Sequence, residues 1–371
     1  MPLKVCHTAD FHLGMKFSGY GELQDRLSEA RFQTLGRIVA KANEASCDLL
    51  VIAGDMFERV TVGGSVIRKC AETLNQFEGD LVAVLPGNHD YFTSESDLWT
   101  RFKDQAGDRV ILLEEECPYE LGHYGLNAVL YPAPCSSRYS SDNGIEWIQQ
   151  IQKNPDIVFH IGVAHGNLEG CGWDEHDQYF PMTQAELDVC KLDLWLLGHI
   201  HVPFPQGTPD GKSVFYAGVP EPDGFDCRHE GNAWIIELDD GKRTHVQAVG
   251  VGTYRFQHDE IEVIAEKDLK DVLEKFSEET HENTLLKLKL KGRLPREVHG
   301  RLKEIRDGLE AQLLYLQLND HEVAVEITAD DIDREFTQDS FPHRLLSELG
   351  QKEEDSEALQ IAYSMLKEVQ R

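Results

Sequence analysis

Five short blocks of metal-binding residue types lie in the first two thirds of the chain. In chain order they are Asp10-Phe11-His12, Gly54-Asp55, Gly87-Asn88-His89-Asp90, His165-Gly166 and Gly198-His199-Ile200-His201. They supply imidazole nitrogens, carboxylate oxygens and an amide oxygen, a donor set suited to Mn²⁺, Fe²⁺ or Zn²⁺ rather than to a structural zinc held by thiolates. The blocks therefore predict a centre of two divalent metal ions that acts on phosphate esters.

The carboxylate and imidazole blocks suggest how two ions would be held. A bridging carboxylate has to serve both ions, and Asp55 at its Gly-Asp turn is the best candidate. An isolated Gly-Asp pair is often a helix cap, so this assignment depends on the other blocks. Asp10 with His12, and His199 with His201, are pairs spaced by one residue, which points both members the same way along an extended backbone.

The Gly87-Asn88-His89-Asp90 block combines a ligand with candidate catalytic residues. Asn88 offers a carbonyl oxygen to a metal ion, and His89 can act as a general acid towards the leaving oxygen. We expect Asp90 to fix the tautomer of the His89 ring. Without the other blocks, Asn-His-Asp would be read as a turn, because Asn and Asp are turn formers.

Apolar runs precede most of the blocks and predict strands buried on both faces. These runs are Leu3 to Cys6, Leu49 to Ala53, Leu81 to Leu85, Ile157 to Val163 and Leu192 to Leu197. Helical periodicity over residues 27–42 and 66–77 predicts crossover helices between parallel strands. In layered α/β folds ligands gather beyond the carboxyl ends of such strands, so we expect the blocks to meet there.

Composition narrows the class of protein. The 371 residues are 41% hydrophobic, which is sufficient for two or three domains with a sizeable core. The eight cysteines are scattered without a Cys-x-x-Cys pair, which favours a reduced cytosol over a disulfide framework or a zinc ribbon. The chain shows neither a signal-peptide pattern nor an apolar run of about 18 residues, so we expect a soluble cytoplasmic protein without a membrane span.

A formal charge of −30 argues against indiscriminate binding of polyanions. A nucleic-acid substrate would need a local basic track, and the stretch from Lys287 to Arg306 contains eight basic residues against two acidic ones. Within it, Lys289, Lys291 and Arg293 are candidate contacts to a DNA backbone. A solvated strand and helix face is the alternative reading of the same stretch.

The sequence divides into three predicted parts. Strand-like segments continue to the Gly-rich residues 249–252, which predicts a first domain of residues 1–252. Alternating helix-like and strand-like segments between 268 and 318 predict a small α+β domain of residues 253–330. Residues 331–371 predict two amphipathic helices separated by the acidic sequence Glu353-Glu354-Asp355. Such a tail either folds back on its own domain or docks on a partner.

The five blocks resemble, in the same order, the D-x-H, G-D, G-N-H-[DE], H and G-H-x-H blocks of the calcineurin-like metallophosphoesterase superfamily. Residues 8–14, 53–57 and 87–90 look most like the SbcD-type nucleases of DNA double-strand-break repair. The resemblance implies a four-layer α/β core with helices flanking a β-sandwich, followed by a small α+β DNA-capping domain. It also implies that the helical tail binds a coiled-coil ATPase of the SbcC type.

The resemblance further implies a role for each block residue. One ion is assigned to Asp10, His12, Asp55 and His201, and the other to Asp55, Asn88, His165 and His199. The ions are expected to be Mn(II), with Fe(II) or Zn(II) as alternatives, and His89 becomes the acid for the leaving group, supported by Asp90. Some family members carry His at the position of Glu58, so the contribution of that position is open.

The expected function is therefore hydrolysis of phosphodiester bonds in DNA, as an exonuclease or endonuclease, with DNA and the ATPase as partners and a homodimer also compatible. Arg59 supports an alternative, because serine/threonine phosphoprotein phosphatases place an Arg there. Those phosphatases favour Glu where this chain has Asp90 and do not need the extra domains. A noncatalytic scaffold that recruits an ATPase is a further alternative, disfavoured because every ligand is retained.

Overall fold

The computed structural model describes residues 2–172, 178–277, 281–351 and 356–369. The chain forms two compact units, Met1–Arg255 and Phe256–Arg371. The sequence places a domain boundary at residue 252 and a second boundary at residue 331. In the structure, the residues of the predicted tail belong to the second compact unit.

Among its described residues, eleven strands and five α-helices build the first unit. The strands are β1 (Leu3–Thr8), β2 (Leu49–Ala53), β3 (Leu81–Leu85), β4 (Val110–Leu112), β5 (Tyr119–Glu120), β6 (Ala128–Ala133), β7 (Phe159–His165), β8 (Leu194–Gly198), β9 (Val214–Tyr216), β10 (Asn232–Leu238) and β11 (Thr244–Gly250). The helices are α1 (Gln24–Glu44), α2 (Gly64–Leu74), α3 (Leu98–Lys103), α4 (Glu146–Gln149) and α5 (Gln184–Cys190). Short 3₁₀ segments cover Ser18–Leu23 and Leu121–Tyr124.

The strands of this unit form two sheets. The first has the order β11-β10-β1-β2-β3-β4, and the second has the order β5-β6-β7-β8-β9. Strands β1, β2, β3 and β4 run parallel to one another, as do β6, β7, β8 and β9. Strand β10 is antiparallel to β1, and β5 is antiparallel to β6. The carboxyl ends of the parallel strands therefore lie along one edge of each sheet.

The side chains of β2 show how the layers are held together. Leu49 and Val51 belong to a buried cluster that also contains residues of the second sheet, such as Ile161. Leu50 and Ile52 point to the opposite face and join a cluster with the buried sides of α1 and α2. A further cluster packs α4 and α5 on the outer face of the second sheet. These clusters give the predicted layered α/β fold, with helices flanking a β-sandwich.

Strand β11 was not predicted from the sequence. Residues 249–252 read as a Gly-rich end of the domain, but Val249 and Gly250 complete a strand that pairs antiparallel with β10. β11 is an edge strand whose side chains are mostly exposed, so it lacks the continuous apolar run by which the buried strands were recognised.

The described residues of the second unit form a three-stranded sheet with the order β12-β13-β14. Strands β13 and β14 are parallel. The elements of this unit are β12 (Arg255–Val263), α6 (Glu266–Lys275), β13 (Thr284–Leu294), α7 (Arg296–His299), α8 (Leu302–Gln312), β14 (Tyr315–Val325), α9 (Ala329–Glu335), α10 (Phe341–Leu349) and α11 (Ser356–Val369). Leu286, Leu288 and Leu290 of β13 pack on α6 and α8. The intervening lysines consequently lie on the other face of the sheet.

The helices of the predicted tail share a small core of their own. Ile327, Ile332, Phe336, Leu346 and Leu359 form one buried cluster, which joins α9, α10 and α11. The predicted acidic separator Glu353-Glu354-Asp355 lies outside the described residues. Among the helices that the structure describes, none is both long and apolar enough to cross a membrane.

Candidate metal centre

The sequence blocks lie at the carboxyl ends of parallel strands from both sheets. Asp10 and His12 follow β1, Asp55 follows β2, Asn88 and His89 follow β3, His165 ends β7, and His199 and His201 follow β8. Each strand is buried, which fixes the position of the residues that leave it. The fold thus brings together residues that are far apart in the sequence of the first unit.

Asp55 lies between the two predicted sets of ligands. Its Oδ2 atom is 3.7 Å from His12 Nε2 and 3.4 Å from His165 Nε2. On the second side, His165 Nε2 lies 3.1 Å from the Oδ1 atom of Asn88. The other carboxylate oxygen, Oδ1, accepts the backbone N–H of His89 at 2.8 Å. This placement is what a bridging carboxylate requires.

Asp10 belongs to both sides of the centre. One ligand atom each from Asp10, His12 and His201 lie within 4.8 Å of one another, and the same holds for Asp10, Asp55 and His165. The backbone N–H of His199 donates to both oxygens of Asp10, at 3.1 and 3.2 Å. This pair of hydrogen bonds joins the end of β8 in one sheet to the end of β1 in the other.

The His199 ring lies beside the second set of ligands. Its centroid is 5.4 Å from that of His165, in an edge-on arrangement. It also lies 4.9 Å from the ring of Tyr179, with an angle of 32° between the two planes. His199 is therefore in position to complete the set formed by Asn88 and His165, and it also touches a tyrosine that the sequence blocks do not contain.

Four of the predicted ligands have left-handed backbone conformations. The φ angle is 57° at Asp10, 46° at His12, 50° at Asp55 and 99° at His199. Such angles are uncommon for residues other than glycine and cost free energy, although Asp and His tolerate them better than most. Their concentration at the ends of strands indicates that the backbone is held in these conformations to aim the side chains.

Two glycines of the blocks allow the strand ends to approach each other. A Cβ atom at Gly54, whose φ is 93°, would overlap the imidazole of His165. A Cβ atom at Gly198 would overlap the backbone carbonyl of Ala53. Side chains at these positions would push β2, β7 and β8 apart and separate the ligands.

Burial and charge shift the ionisation of the central residues. Burial acts to raise the pKa of Asp55, but the adjacent His165 outweighs it and holds the pKa well below its usual range. Burial acts to lower the pKa of His165, but the Asp55 carboxylate raises it to about 9. Burial raises the pKa of Asp10. The buried carboxylate of Asp55 therefore favours positive charge on the groups next to it.

The residues present fit a pair of divalent ions. Asp10, His12, Asp55, Asn88 and His165 are each at most 2% exposed. The Nε2 atom of His12 is buried without a hydrogen-bond partner in the part of the chain that the structure describes. Buried polar atoms are costly unless they are paired or coordinate a metal ion. A set of imidazole nitrogens and carboxylate and amide oxygens suits Mn²⁺, Fe²⁺ or Zn²⁺.

Glu58 holds two histidines of the centre and was not assigned a role from the sequence. Its Oε2 atom lies 3.3 Å from His12 Nδ1, which leaves His12 Nε2 directed at Asp55. Its backbone carbonyl lies 3.2 Å from His89 Nδ1. Burial acts to lower the pKa of His12, but the Glu58 and Asp55 carboxylates raise it. In the sequence, the acidic residue three positions after the predicted bridging residue Asp55 was the feature that could have indicated this role.

The structure corrects the predicted role of Asp90. Its carboxylate accepts the backbone N–H groups of Gly87 at 2.7 Å and Phe57 at 2.9 Å, and burial raises its pKa to about 7. The partner of His89 Nδ1 is the Glu58 carbonyl. Asp90 therefore stabilises the turn that carries Asn88 and His89, and it does not orient the imidazole.

Asp223 is a second carboxylate near the centre, and it lies outside the five sequence blocks. Its Oδ2 atom lies 3.7 Å from His201 Nδ1 and 3.3 Å from the guanidinium of Arg31. Arg31 is 1% exposed and also donates to the backbone carbonyl of Phe11 at 2.6 Å. Burial acts to raise the pKa of Asp223, but Arg31 and His201 lower it. The loop after β9 supplies this residue, so no local motif marks it.

The candidate DNA contacts lie in the second unit, on the face of β13 opposite its helices. The ammonium of Lys289 is 2.7 Å from Glu322, and that of Lys291 is 2.7 Å from Glu260. Arg293 lines a surface pocket that also contains carboxylates of the flanking strands. This face is consequently a mixture of both charges, and the structure favours the solvated surface over a continuous positive track.

The calcineurin-like phosphoesterase family matches residues 3–203, which include all five blocks. The chain belongs to this family. This membership and the layered fold confirm the family and the fold class that the sequence predicted. The phosphoesterase family uses a dimetal centre, and the donor groups described above lie where that centre is expected.

Relatives of this phosphoesterase include two curated proteins. It is 29% identical over 209 residues to "Uncharacterized metallophosphoesterase YhaO" of Bacillus subtilis (strain 168), covering 54% of this chain and 48% of YhaO. It is 26% identical over 286 residues to "DNA double-strand break repair protein Mre11" of Methanopyrus kandleri, covering 67% of this chain and 57% of that protein. The chain thus spans about half the length of the curated relatives it matches.

Solved structures also resemble the phosphoesterase chain. The crystal structure of TT1561 of Thermus thermophilus aligns with a TM-score of 0.41 and 10% sequence identity, covering 68% of this chain and 100% of that one.

Proposed function

We propose that this phosphoesterase is a metal-dependent nuclease that hydrolyses phosphodiester bonds of DNA in repair. The observation that carries the proposal is the position of Asp55, which faces ligands of both predicted ions while His89 reaches the same centre. Similarity to a protein named for DNA double-strand break repair supports DNA as the substrate. Eight free cysteines support a reducing cytoplasmic location.

Two divalent ions, Mn²⁺ in our proposal, would supply activation of water and neutralisation of charge on the phosphoryl oxygens. Asp10, His12 and His201 would hold one ion, and Asn88, His165 and His199 the other, with Asp55 shared between them. Glu58 lies beside Nδ1 of His12 and Asp223 beside Nδ1 of His201, contacts that would orient the two rings and leave Nε2 for an ion.

His89 is placed to give a proton to the leaving oxygen. Its ring lies 4.7 Å from that of His12, edge-on, and a ring nitrogen lies within 4.8 Å of the ligand atoms of His12 and Asp55. A hydrogen bond from Nδ1–H to the Glu58 carbonyl leaves Nε2 as the atom that faces substrate. Because a carbonyl can only accept, Nδ1 carries a proton in this contact, and Nε2 is the nitrogen left to transfer a proton to the leaving oxygen.

The test is an assay of the purified chain with Mn²⁺ on end-labelled duplex DNA, single-stranded DNA and a phosphopeptide. We expect cleavage of DNA and little release of phosphate from the peptide. Preferential hydrolysis of the phosphopeptide would replace the proposal by a phosphoprotein phosphatase. Absence of hydrolysis on all three substrates, in a folded and metal-loaded protein, would support the noncatalytic scaffold.

Asp55→Asn is the variant that ties this activity to the centre. It should lose both bound metal, measured by elemental analysis, and DNA cleavage. Asp156→Asn is a matched control, because Asp156 is exposed and precedes β7 at the strand end opposite to His165. If Asp55→Asn still binds two ions, Asp55 is not the bridging ligand.

We further propose that α11 docks a coiled-coil ATPase of the SbcC type. Leu346 and Leu359 cannot belong to the docking face, because both are buried in the core of the tail helices. The large apolar side chains of α11 that remain exposed are Ile361 (52%), Met365 (63%) and Val369 (85%), spaced by four residues along one side of the helix. Apolar side chains at that spacing suit an apolar face of a partner helix.

Point variants test this partner better than deletion, because removing α10 and α11 would open the core that they share. Ile361→Glu and Met365→Glu should abolish co-purification with a co-expressed ATPase of this class. Ser364→Glu adds the same charge at an exposed position of the same helix and should retain the complex. Equal retention by all three variants would contradict the proposed docking face.

A further inference from the structure

A series of aromatic rings leads from the metal centre to the surface. The ring of Tyr179 lies 4.9 Å from that of His199, and the ring of Tyr139 lies 5.4 Å from that of Tyr179. Tyr139 is 52% exposed, although it is a large aromatic residue. The guanidinium of Arg138, which is also exposed, lies 5.7 Å from the Tyr139 ring. We call Arg138, Tyr139 and Tyr179 the aromatic platform.

The aromatic platform is fixed to the predicted ligands through the backbone. The side-chain amide of Asn88 donates to the carbonyl of Arg138 at 3.3 Å, and this bond turns Asn88 Oδ1 towards His165. The backbone N–H of Asn167 donates to the carbonyl of Tyr179 at 2.9 Å. An isolated β-bridge between Ser140 and Tyr179 holds the two parts of the platform together. The position of the rings relative to the centre is therefore set by main-chain contacts.

From this geometry we propose that the aromatic platform is a stacking subsite for a nucleobase, namely the base of the nucleotide next to the scissile phosphate. The proposal rests on the proposed phosphodiesterase function and names the group that the site recognises beside the phosphate. Tyr139 is two ring contacts away from the His199 side of the centre. A base stacked on Tyr139 would place its own backbone phosphate towards Asn88 and His199.

The chemistry of the platform favours a nucleic acid over a phosphopeptide. Every base presents a planar face, and stacking of a base on an aromatic side chain is sequence-tolerant. The Arg138 guanidinium adds a positive charge and a second planar group beside Tyr139. In a chain of net charge −30, such a local contact is needed to hold a polyanion at the centre. A phosphoserine side chain carries no aromatic ring of its own.

Binding provides the first test, because it does not depend on turnover. A labelled oligothymidylate and an abasic oligonucleotide of the same length are titrated in Ca²⁺ and followed by fluorescence anisotropy. The unmodified chain should bind the oligothymidylate roughly 5- to 100-fold more tightly. Tyr139→Ala should remove most of this preference, and Tyr139→Phe should retain it because the ring face is kept. Thermal unfolding of each variant checks that the fold is intact.

Hydrolysis separates this inference from the proposed function. The probes are the p-nitrophenyl ester of thymidine 5′-phosphate and the corresponding ester of abasic deoxyribose 5′-phosphate, both with Mn²⁺. Tyr139→Ala should reduce the ratio of kcat/KM between the two esters towards one.

Hydrolysis of both esters without a base preference would overturn the platform and leave a phosphodiesterase. A base preference in binding without hydrolysis of either ester would keep the platform and overturn the nuclease. Equal or absent binding of both oligonucleotides, or a preference that survives in Tyr139→Ala, would also overturn the platform.

Discussion

At the scale of single residues, the ligands of the predicted centre depend on carboxylates that lie outside the sequence blocks. Glu58 contacts the outer nitrogen of His12, and Asp223 lies next to the outer nitrogen of His201. A carboxylate at that position fixes the tautomer and direction of a ligating ring and raises its basicity. The buried Arg31 in turn holds Asp223.

Replacing Asp223 by Asn should therefore weaken metal binding without unfolding the chain. Loss of such an outer contact typically reduces metal affinity by roughly 10- to 100-fold. The measurement is titration of Mn²⁺ by isothermal calorimetry. Asp226→Asn is the matched control, since Asp226 is exposed in the same loop. If the affinities of the two variants are equal, Asp223 does not position His201.

The buried His7 of β1 should make stability depend on pH. Burial lowers the pKa of His7 to about 3. The unfolded chain takes up a proton on this ring below about pH 6.5, whereas the folded chain does not until about pH 3. The contribution of neutral His7 to the free energy of unfolding is therefore complete above pH 6.5 and is lost as the pH falls towards 3.

The change attributable to His7 is about 2 kcal/mol of unfolding free energy between pH 7 and pH 5. Urea unfolding at both pH values should show a smaller loss on acidification for His7→Leu than for the unmodified chain. The difference between the two losses isolates His7 from the other histidines. Identical losses would mean that His7 is protonated within the fold.

At the scale of elements, buried parallel strands position the centre, and small amphipathic helices build the tail. Strands β1, β2, β3, β7 and β8 contribute no ligand from their buried middle segments but deliver ligands at or just beyond their carboxyl ends. Helices α9, α10 and α11 instead depend on one another, because their apolar faces close a single cluster. Short helices have little stability without such packing.

Leu346 tests the packing of the tail helices. It is fully buried between them, so Leu346→Ala should destabilise this region by roughly 2 to 5 kcal/mol. Hydrogen exchange of α10 and α11 under native conditions would report the change. Ile361→Ala is the control, because Ile361 is 52% exposed and should change the exchange little. Unchanged protection in Leu346→Ala would mean that the helices are not held by this core.

At the scale of the whole molecule, the distribution of charge governs how a polyanion approaches. The chain carries a net charge of −30, and two of the lysines on the exposed sheet face are paired with glutamates. Exposed ion pairs contribute little stability, so a phosphate could compete for these lysines, but the neighbouring carboxylates would oppose it. The mixed face differs from the positive stripe that the sequence suggested for Lys289, Lys291 and Arg293.

Salt should consequently affect DNA cleavage differently from a nuclease with a basic track. We expect kcat/KM on short DNA to stay constant or rise between about 20 and 150 mM NaCl, because screening reduces the repulsion. The triple variant with Gln at residues 289, 291 and 293 should leave this dependence unchanged. The opposite result would be a negative slope of log(kcat/KM) against log[NaCl] that becomes shallower in the triple variant by roughly one unit for each lost contact. That result would support these residues as DNA contacts.

The sequence by itself determined the family, with its dimetal centre, and the layered fold. Five blocks of ligand types after apolar runs fixed both, because the order of ligands and the burial of strands are local properties of the chain. Only the tertiary structure showed which groups contact the ligands from outside the centre. The backbone carbonyl of Glu58, and not the carboxylate of Asp90, lies next to His89, and Asp223 of a distant loop lies next to His201. The tertiary structure likewise decided that Lys289 and Lys291 are paired, that Leu346 and Leu359 are buried, and that Tyr139 stands near the centre. Contacts between residues far apart in sequence depend on how the layers pack, and no local pattern encodes them.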